Sequence, residues 1–185
     1  GFGDIGGFVG YTGPLPVATS TANVESLTVN GNPTSSSNIG GFAGRQFGGI
    51  INDSVSFIRD SISAANSNNV NLGGFIGIGT DVIQNRNSAQ IGENLTSTGN
   101  TGLVNIGGYA GYIQNIKEEA GQEKVDVSIS NVTSLVFGNI LGQTDEADEP
   151  SFSAGGIGVI LGETESPVSN ITVLDSASNV GGKII

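Results

Sequence analysis

Few side chains in this chain of 185 residues are able to do chemistry. His and Cys are both absent, which excludes Ser-His-Asp and Cys-His nucleophilic sites and the usual zinc ligand sets. Carboxylates remain, and the densest of them are Glu118, Glu119, Asp145, Glu146, Asp148 and Glu149. No repeated face of the chain brings several carboxylates beside an Arg or a Lys. The sequence therefore predicts no catalytic residue, and we expect that the protein is not an enzyme.

The acidic run at 144–150 raises the question of a metal. Ca²⁺ is a hard cation that takes oxygen ligands, but the run lacks the spacing and the central Gly of an EF-hand. A solvated loop is the simpler interpretation. We expect no cofactor and no metal ligand, with Ca²⁺ at this run as the open alternative.

The charge balance narrows the class of partner. The chain has 17 acidic and 6 basic residues, a net charge of −11, and its basic residues are scattered. Nucleic acids require clustered Lys and Arg to displace counterions, so they are excluded as partners. No apolar run approaches the ~20 residues of a membrane span, so we expect no span within this segment.

A repeated phrase marks the elements that must position any site. A Gly-Gly-aromatic-apolar-Gly phrase occurs four times at intervals of 34, 33 and 34 residues. Its double glycines are Gly6, Gly7, Gly40, Gly41, Gly73, Gly74, Gly107 and Gly108. A fixed period of this size is typical of a stacked repeat architecture.

Side chains at matching places in the phrase should lie above one another. The phrase and the β-branched, alternating stretches that follow it read as short strands, and helical periodicity is nearly absent. Stacking predicts an aromatic ladder of Phe8, Phe42, Phe75 and Tyr109, with its members about 4.8 Å apart. The polar residues that precede each phrase predict a second, structural ladder: Asp4, Asn38, Asn71, Asn105 and Asn179.

A second phrase, Asn-apolar-x-Ser/Val-Leu, returns at 23–27, 131–135 and 170–174. Its similarity predicts one further strand at an equivalent place in each repeat.

These patterns predict an all-β segment, a single unit over 1–185 that forms a right-handed parallel β-helix. We expect one turn per ~34-residue repeat and two or three short strands per turn. Repeats begin near 5, 39, 72, 106, 154 and 180, and residues 112–153 carry a long insertion. The chain begins and ends inside the repeat pattern without a capping segment, so we expect a fragment of a longer repeat protein.

The phrase at 5–10, with its copies at 39–44, 72–77 and 106–111, resembles the GLUG repeat. That repeat occurs in large bacterial surface and secreted proteins, including adhesin-like and autotransporter-like ones. The resemblance covers almost the whole chain and weakens at 154–162. It implies a surface-exposed β-solenoid at the bacterial cell surface or outside the cell, and it carries over no catalytic residue.

We expect a structural and adhesive role, in which a rigid scaffold presents contact loops and the six carboxylates named above meet the partner. That partner would be a protein or glycan surface, or other copies of the chain. One alternative is a β-helix that binds or cleaves carbohydrate, favoured if Tyr11, Phe47 and Tyr112 line one groove beside carboxylates. The other alternative is a subunit of an extracellular filament or lattice.

Overall fold

The computed structural model describes residues 2–115, 126–144, 152–161 and 171–185. Over these ranges the chain forms 22 strands and no helix, and every strand pairing is parallel. The predicted all-β class is therefore confirmed. The expected contact residues Glu118, Glu119, Asp145, Glu146, Asp148 and Glu149 lie outside the described residues.

The strands follow one another in five layers, which we number from the N-terminus. Layer 1 contains β1 (Phe2–Gly6), β2 (Val9–Thr12), β3 (Val17–Ala18), β4 (Thr21–Val24) and β5 (Leu27–Asn30). Layer 2 contains β6 (Ser36–Gly40), β7 (Ala43–Phe47), β8 (Ile50–Asn52), β9 (Val55–Ile58) and β10 (Ile62–Ala65). Layer 3 contains β11 (Val70–Gly73), β12 (Ile76–Thr80), β13 (Ile83–Asn85), β14 (Ser88–Ile91) and β15 (Leu95–Asn100). Layer 4 contains β16 (Val104–Gln114), β17 (Val127–Ser130), β18 (Thr133–Val136) and β19 (Ile140–Thr144), and layer 5 contains β20 (Phe152–Leu161), β21 (Ile171–Leu174) and β22 (Ala177–Val180).

Each strand pairs with the strand at the same place in the next layer, which produces five columns of strands. The first two columns form one eight-stranded sheet, because β16 continues unbroken from the first column into the second. The third and fourth columns are five-stranded sheets, and the fifth column has four strands. The register equals one repeat, so Gly6 lies opposite Gly40 and Gly73 opposite Gly107. Layers 1–3 each hold five strands rather than the two or three expected, because strands this short leave little periodicity to read.

The expected insertion over 112–153 is not one continuous loop. Residues 127–144 form β17, β18 and β19, which are three regular strands of layer 4. Ile78 pairs with Tyr112, 34 positions along the chain, whereas Ile83 pairs with Ser128, 45 positions along. Most of the added length therefore falls between Gln114 and Val127.

The glycine pair near residue 180 does not open a sixth layer. Val180 lies opposite Val136 at the end of β22, and the Gly181 N–H donates to the Val136 carbonyl at 2.8 Å. Ile184 then bridges to Ile140 of the fifth column. The expected repeat start near 180 is wrong, because these glycines occupy the turn after the fourth column.

The turn between the third and fourth columns has one backbone conformation in all five layers. The residue after the third strand has φ between 46° and 53° at Thr19, Asp53, Arg86, Asn131 and Asp175. Asn and Asp, which tolerate this left-handed region best among non-glycine residues, fill three of the five places. Arg86 donates to both carboxylate oxygens of Asp53 at 2.6 and 2.7 Å, and this contact holds the pKa of Asp53 below its usual range. The repeated turn keeps successive layers in register.

The interior divides into two apolar clusters with a narrow waist between them. One cluster lies under the second and third columns, and the other lies under the first and fifth columns. At the waist, the fourth column presents a row of small residues: Ala22, Ser56, Ala89, Ser134 and Ser178. The second glycine of each phrase faces this row, and a Cβ at Gly74 would meet the Gly108 carbonyl oxygen and the Ala89 Cβ. The Gly-Gly phrase is therefore where the chain bends inward to form the waist.

The four aromatic residues of the phrase stack face to face in one column. Ring centroids of Phe8 and Phe42 are 4.8 Å apart, those of Phe42 and Phe75 are 4.8 Å apart, and those of Phe75 and Tyr109 are 5.1 Å apart. The interplanar angles are 14°, 6° and 5°. Phe8 ends the column in layer 1 and is 51% exposed. Parallel rings one layer apart join adjacent layers inside the core.

Layer 5 has no ring to continue this column. Gly155 lies opposite Gly107 and Ile157 opposite Ala110, so the fifth phrase is one residue shorter and lacks a counterpart of Tyr109. A cavity of about 300 Å³ lies beside Tyr109 at this place. The aromatic column therefore ends at layer 4.

Tyr109 also connects the column to buried polar side chains. Its hydroxyl donates to Gln84 Oε1 at 2.6 Å, and Asn87 Nδ2 donates to the same oxygen of Gln84 at 2.6 Å. Gln84 in turn donates to Gln46 Oε1 in the layer below. These partners satisfy polar groups that would be costly to bury alone. Burial raises the pKa of Tyr109 above its ordinary value, although the Asn87 hydrogen bond acts in the opposite direction.

We expect Tyr109→Phe to change how stability depends on pH. At pH 8 the variant should be less stable than the wild type by about 1–2 kcal/mol, because Gln84 loses a buried donor. The folded pKa of Tyr109 lies above the unfolded value of about 10, so its contribution is complete below pH 10 and is lost as pH rises further. Urea unfolding at pH 8, 10 and 11.5 should therefore show the gap between wild type and variant narrowing. A gap that stays constant or widens would contradict this assignment.

Candidate functional site

The bend at the Gly-Gly phrase leaves a groove on the outside of the molecule. The first and second columns approach each other closely at the third glycine of the phrase. A Cβ at Gly111 would lie 2.8 Å from the backbone carbon of Asn71, and one at Gly77 would lie 2.8 Å from that of Asn38. Only glycine permits this approach, so the outward side chains of the two columns flank a groove that runs along the stack.

The groove floor is a ladder of side-chain hydrogen bonds. Asn38 Nδ2 donates to Asp4 Oδ1 at 2.7 Å, Asn71 Nδ2 donates to Asn38 Oδ1 at 2.8 Å, and Asn105 Nδ2 donates to Asn71 Oδ1 at 2.8 Å. The backbone register places these four residues opposite one another. The polar residues before the phrase therefore meet at a surface groove.

Asn179 lies elsewhere. It is paired with Leu135 in the fourth column, so its place in the expected ladder is wrong. In layer 5 the residue opposite Asn105 is Ser153. The error has the same origin as the misplaced repeat start, because both came from aligning the last glycine pair with the phrase.

One wall of the groove is an outward row of the second column: Tyr11, Arg45, Ile78 and Tyr112. Arg45 reaches across the groove to Asp4, with Nε 3.3 Å from Oδ1. Partial burial raises the pKa of Tyr112. The wall is thus charged near layer 1 and apolar or aromatic at layers 3 and 4.

The other wall comes from residues that precede the first column. Asn69 Nδ2 donates to Ser36 Oγ at 3.3 Å, and the Leu103 N–H donates to Asn69 Oδ1 at 2.8 Å. The Leu103 side chain is 55% exposed. Between the two walls lies a cavity of about 220 Å³, and Asn71 and Asn105 form its floor. We call this part of the surface, with Ile78, Tyr112, Asn69 and Leu103 as its walls, the amide groove.

The three outward aromatic residues named from the sequence do not all meet. Tyr11 and Tyr112 share the groove wall, but Tyr11 is in layer 1 and Tyr112 is in layer 4. Phe47 lies in the neighbouring row of β7, opposite Thr80. Asp4 is the carboxylate of the described floor, and Arg45 pairs with it. The arrangement offers amides, hydroxyls and apolar surface for binding.

Sequence reasoning missed most of this site. Ile78, Asn69 and Leu103 carry no motif, and they reach the groove only because the first two columns fold toward each other. The signal available was the third glycine of each phrase, which marks a close approach but does not name its partner. The floor residues were found because they keep a constant offset from the phrase.

The described residues contain no group of three or more His, Cys, Asp or Glu side chains able to hold a metal ion. They also contain no helix long and apolar enough to cross a membrane. Comparison of the chain with protein-family models, with curated proteins and with solved structures gives no match in any of the three.

Proposed function

We propose that this segment is a right-handed parallel β-helix that serves as a rigid scaffold of a bacterial surface or extracellular protein and acts by contact rather than catalysis. The observation that carries the proposal is the unbroken in-register pairing of layers. Pairing at one-repeat offset extends through all five layers in the first four columns and through layers 1–4 in the fifth. Backbone ladders and stacked rings leave little freedom for one layer to move against the next.

The proposed location rests on the resemblance of the repeated phrase to the GLUG repeat. The proposed mode of action rests on composition: without His or Cys, the chain lacks the side chains of the commonest nucleophilic sites. Partners of the scaffold would be a protein or glycan surface, or further copies of the chain. A net charge of −11 favours solubility and disfavours polyanionic partners.

Hydrogen exchange tests the rigid scaffold. Amides of the central layer, in β11, β12, β13 and β14, are expected to exchange only through opening events close to global unfolding. Amides of β9 and β14 that pair across layers 2 and 3 should show the same opening free energy. Fast exchange along the boundary between these layers would reveal a hinge and contradict a rigid rod.

An assay for polysaccharide cleavage tests the non-catalytic role. We expect no release of reducing ends when the segment is incubated with neutral and acidic polysaccharides, with and without Ca²⁺. Turnover that persists in repurified protein would overturn the proposal of action by contact.

A further inference from the structure

We propose that the amide groove binds an extended neutral oligosaccharide, with Tyr112, Leu103 and Ile78 holding the sugar rings and the floor amides bonding their hydroxyls. This inference rests on the proposal that the scaffold acts by contact, and it gives that contact a site. The occupied region spans layers 3 and 4, where the cavity of about 220 Å³ lies. That volume is below the ~300–1,000 Å³ of pockets for drug-sized ligands, so it suits one segment of a chain that continues along the groove.

The floor retains hydrogen-bonding capacity for a ligand. An Asn amide has two N–H donors and two acceptor lone pairs. Asn71 uses one donor, toward Asn38, and accepts one bond, from Asn105. The remaining donor and lone pair match the adjacent hydroxyls of a sugar, each of which both donates and accepts. Because the ladder holds the amides in place, little side-chain entropy remains to be lost on binding.

The walls complete the chemistry that a sugar requires. A pyranose has polar edges and faces of C–H groups, so it suits a site with amides below and apolar surface at the sides. Leu103 is 55% exposed at one wall, and Ile78 and the ring of Tyr112 form the other. Tyrosine offers a large rigid surface with a polar end at low entropic cost.

Charge and spacing select the kind of glycan. No basic side chain lines the cavity, and the nearest cation of the wall row, Arg45, is paired with Asp4. A sulfated or uronic acid chain would therefore meet an acidic protein without a counter-charge. The floor amides repeat once per layer, about 4.8 Å apart, which is close to the length of one hexose in an extended chain. A neutral, extended oligosaccharide therefore fits the groove best.

The test uses the whole 185-residue segment with cellohexaose, mannohexaose and xylohexaose as neutral probes and a galacturonate hexamer as the acidic comparison. NMR spectra of the side-chain amides should show shifts of Asn71 and Asn105 with at least one neutral probe. Titration calorimetry should show at least tenfold weaker binding for Tyr112→Ala and for Leu103→Ala. Phe137→Ala removes a side chain of similar exposure, 53%, from the fourth-column side and should bind as the wild type does.

Three results would each overturn the inference. The first is that no neutral probe at 5 mM shifts the Asn71 or Asn105 amides, and the second is that the galacturonate hexamer binds more tightly than every neutral probe. The third is equal affinity of Tyr112→Ala and Phe137→Ala. Hydrogen exchange of each variant reports on the scaffold separately, so loss of binding with layers intact rejects only the groove proposal.

Discussion

Replacement of Gly74 by valine is expected to lower the free energy of unfolding by about 3 kcal/mol, the upper end of the usual cost of overpacking. The Cβ would press on the carbonyl oxygen of Gly108 in the next layer, and it would lie 3.3 Å from the Ala89 Cβ across the waist. The carbonyl cannot move away without disturbing the Gly-Gly bend of layer 4. For a chain of this size the loss corresponds to a fall in melting temperature of roughly 6–12 °C.

Gly3→Val is the matched control for this experiment. Gly3 lies in β1, and a Cβ placed there meets no atom within 4 Å. The control should change stability by less than about 0.5 kcal/mol, as surface substitutions usually do. Similar melting shifts in the two variants would mean that the Gly-Gly phrase is not defined by close approach at the waist.

Phe75→Ala should be the most destabilising truncation in the aromatic column, at about 3–5 kcal/mol. Phe75 is fully buried and stacks on Phe42 below and Tyr109 above, so its loss leaves a cavity between two layers. Rings that are held by their neighbours cannot readily collapse into the space. Urea unfolding monitored by circular dichroism would measure the change.

Phe8→Ala provides the comparison within the same column. Phe8 stacks on one neighbour only and is half exposed, so its loss should cost no more than about 1.5 kcal/mol, the value of one aromatic pair. If both truncations cost the same, the column contributes surface burial alone and not stacking between layers.

The phrase allowed the first two columns to be predicted in detail. Phe42 and Phe75 share a row because their repeats keep a constant interval, and the same constancy places Asn38 beside Asn71. Each strand of these columns starts or ends at a glycine whose neighbours are crowded, which fixes the register. A pattern tied to a steric requirement is therefore legible in the sequence.

The remaining columns could not be predicted in the same way. The similar phrases at 23–27 and 131–135 occupy different registers, because Asn23 lies in the row of Leu135. These strands are only two to six residues long, and inward positions are sometimes polar, as at Gln84. Alternation of apolar and polar residues therefore fails as a guide there.

The groove was not predictable because it depends on the angle between two columns. Leu103 and Tyr112 lie at opposite ends of the first and second columns in layer 4, and nothing in their local sequence marks them as neighbours. Their proximity arises from the bend at Gly107 and Gly108. Sequence patterns specify which residues repeat, whereas the bend determines which repeated rows face each other.

The floor of the groove also has a direction. Every amide in the ladder donates toward layer 1, from Asn105 to Asn71, then to Asn38, and finally to the carboxylate of Asp4. Dipoles aligned in this way polarise one another, and the anion lies at the end that receives the last donor. A polymer with two different ends would therefore meet an asymmetric track. We expect such a chain to lie in one orientation only, so that copies of this protein along a glycan would all point the same way.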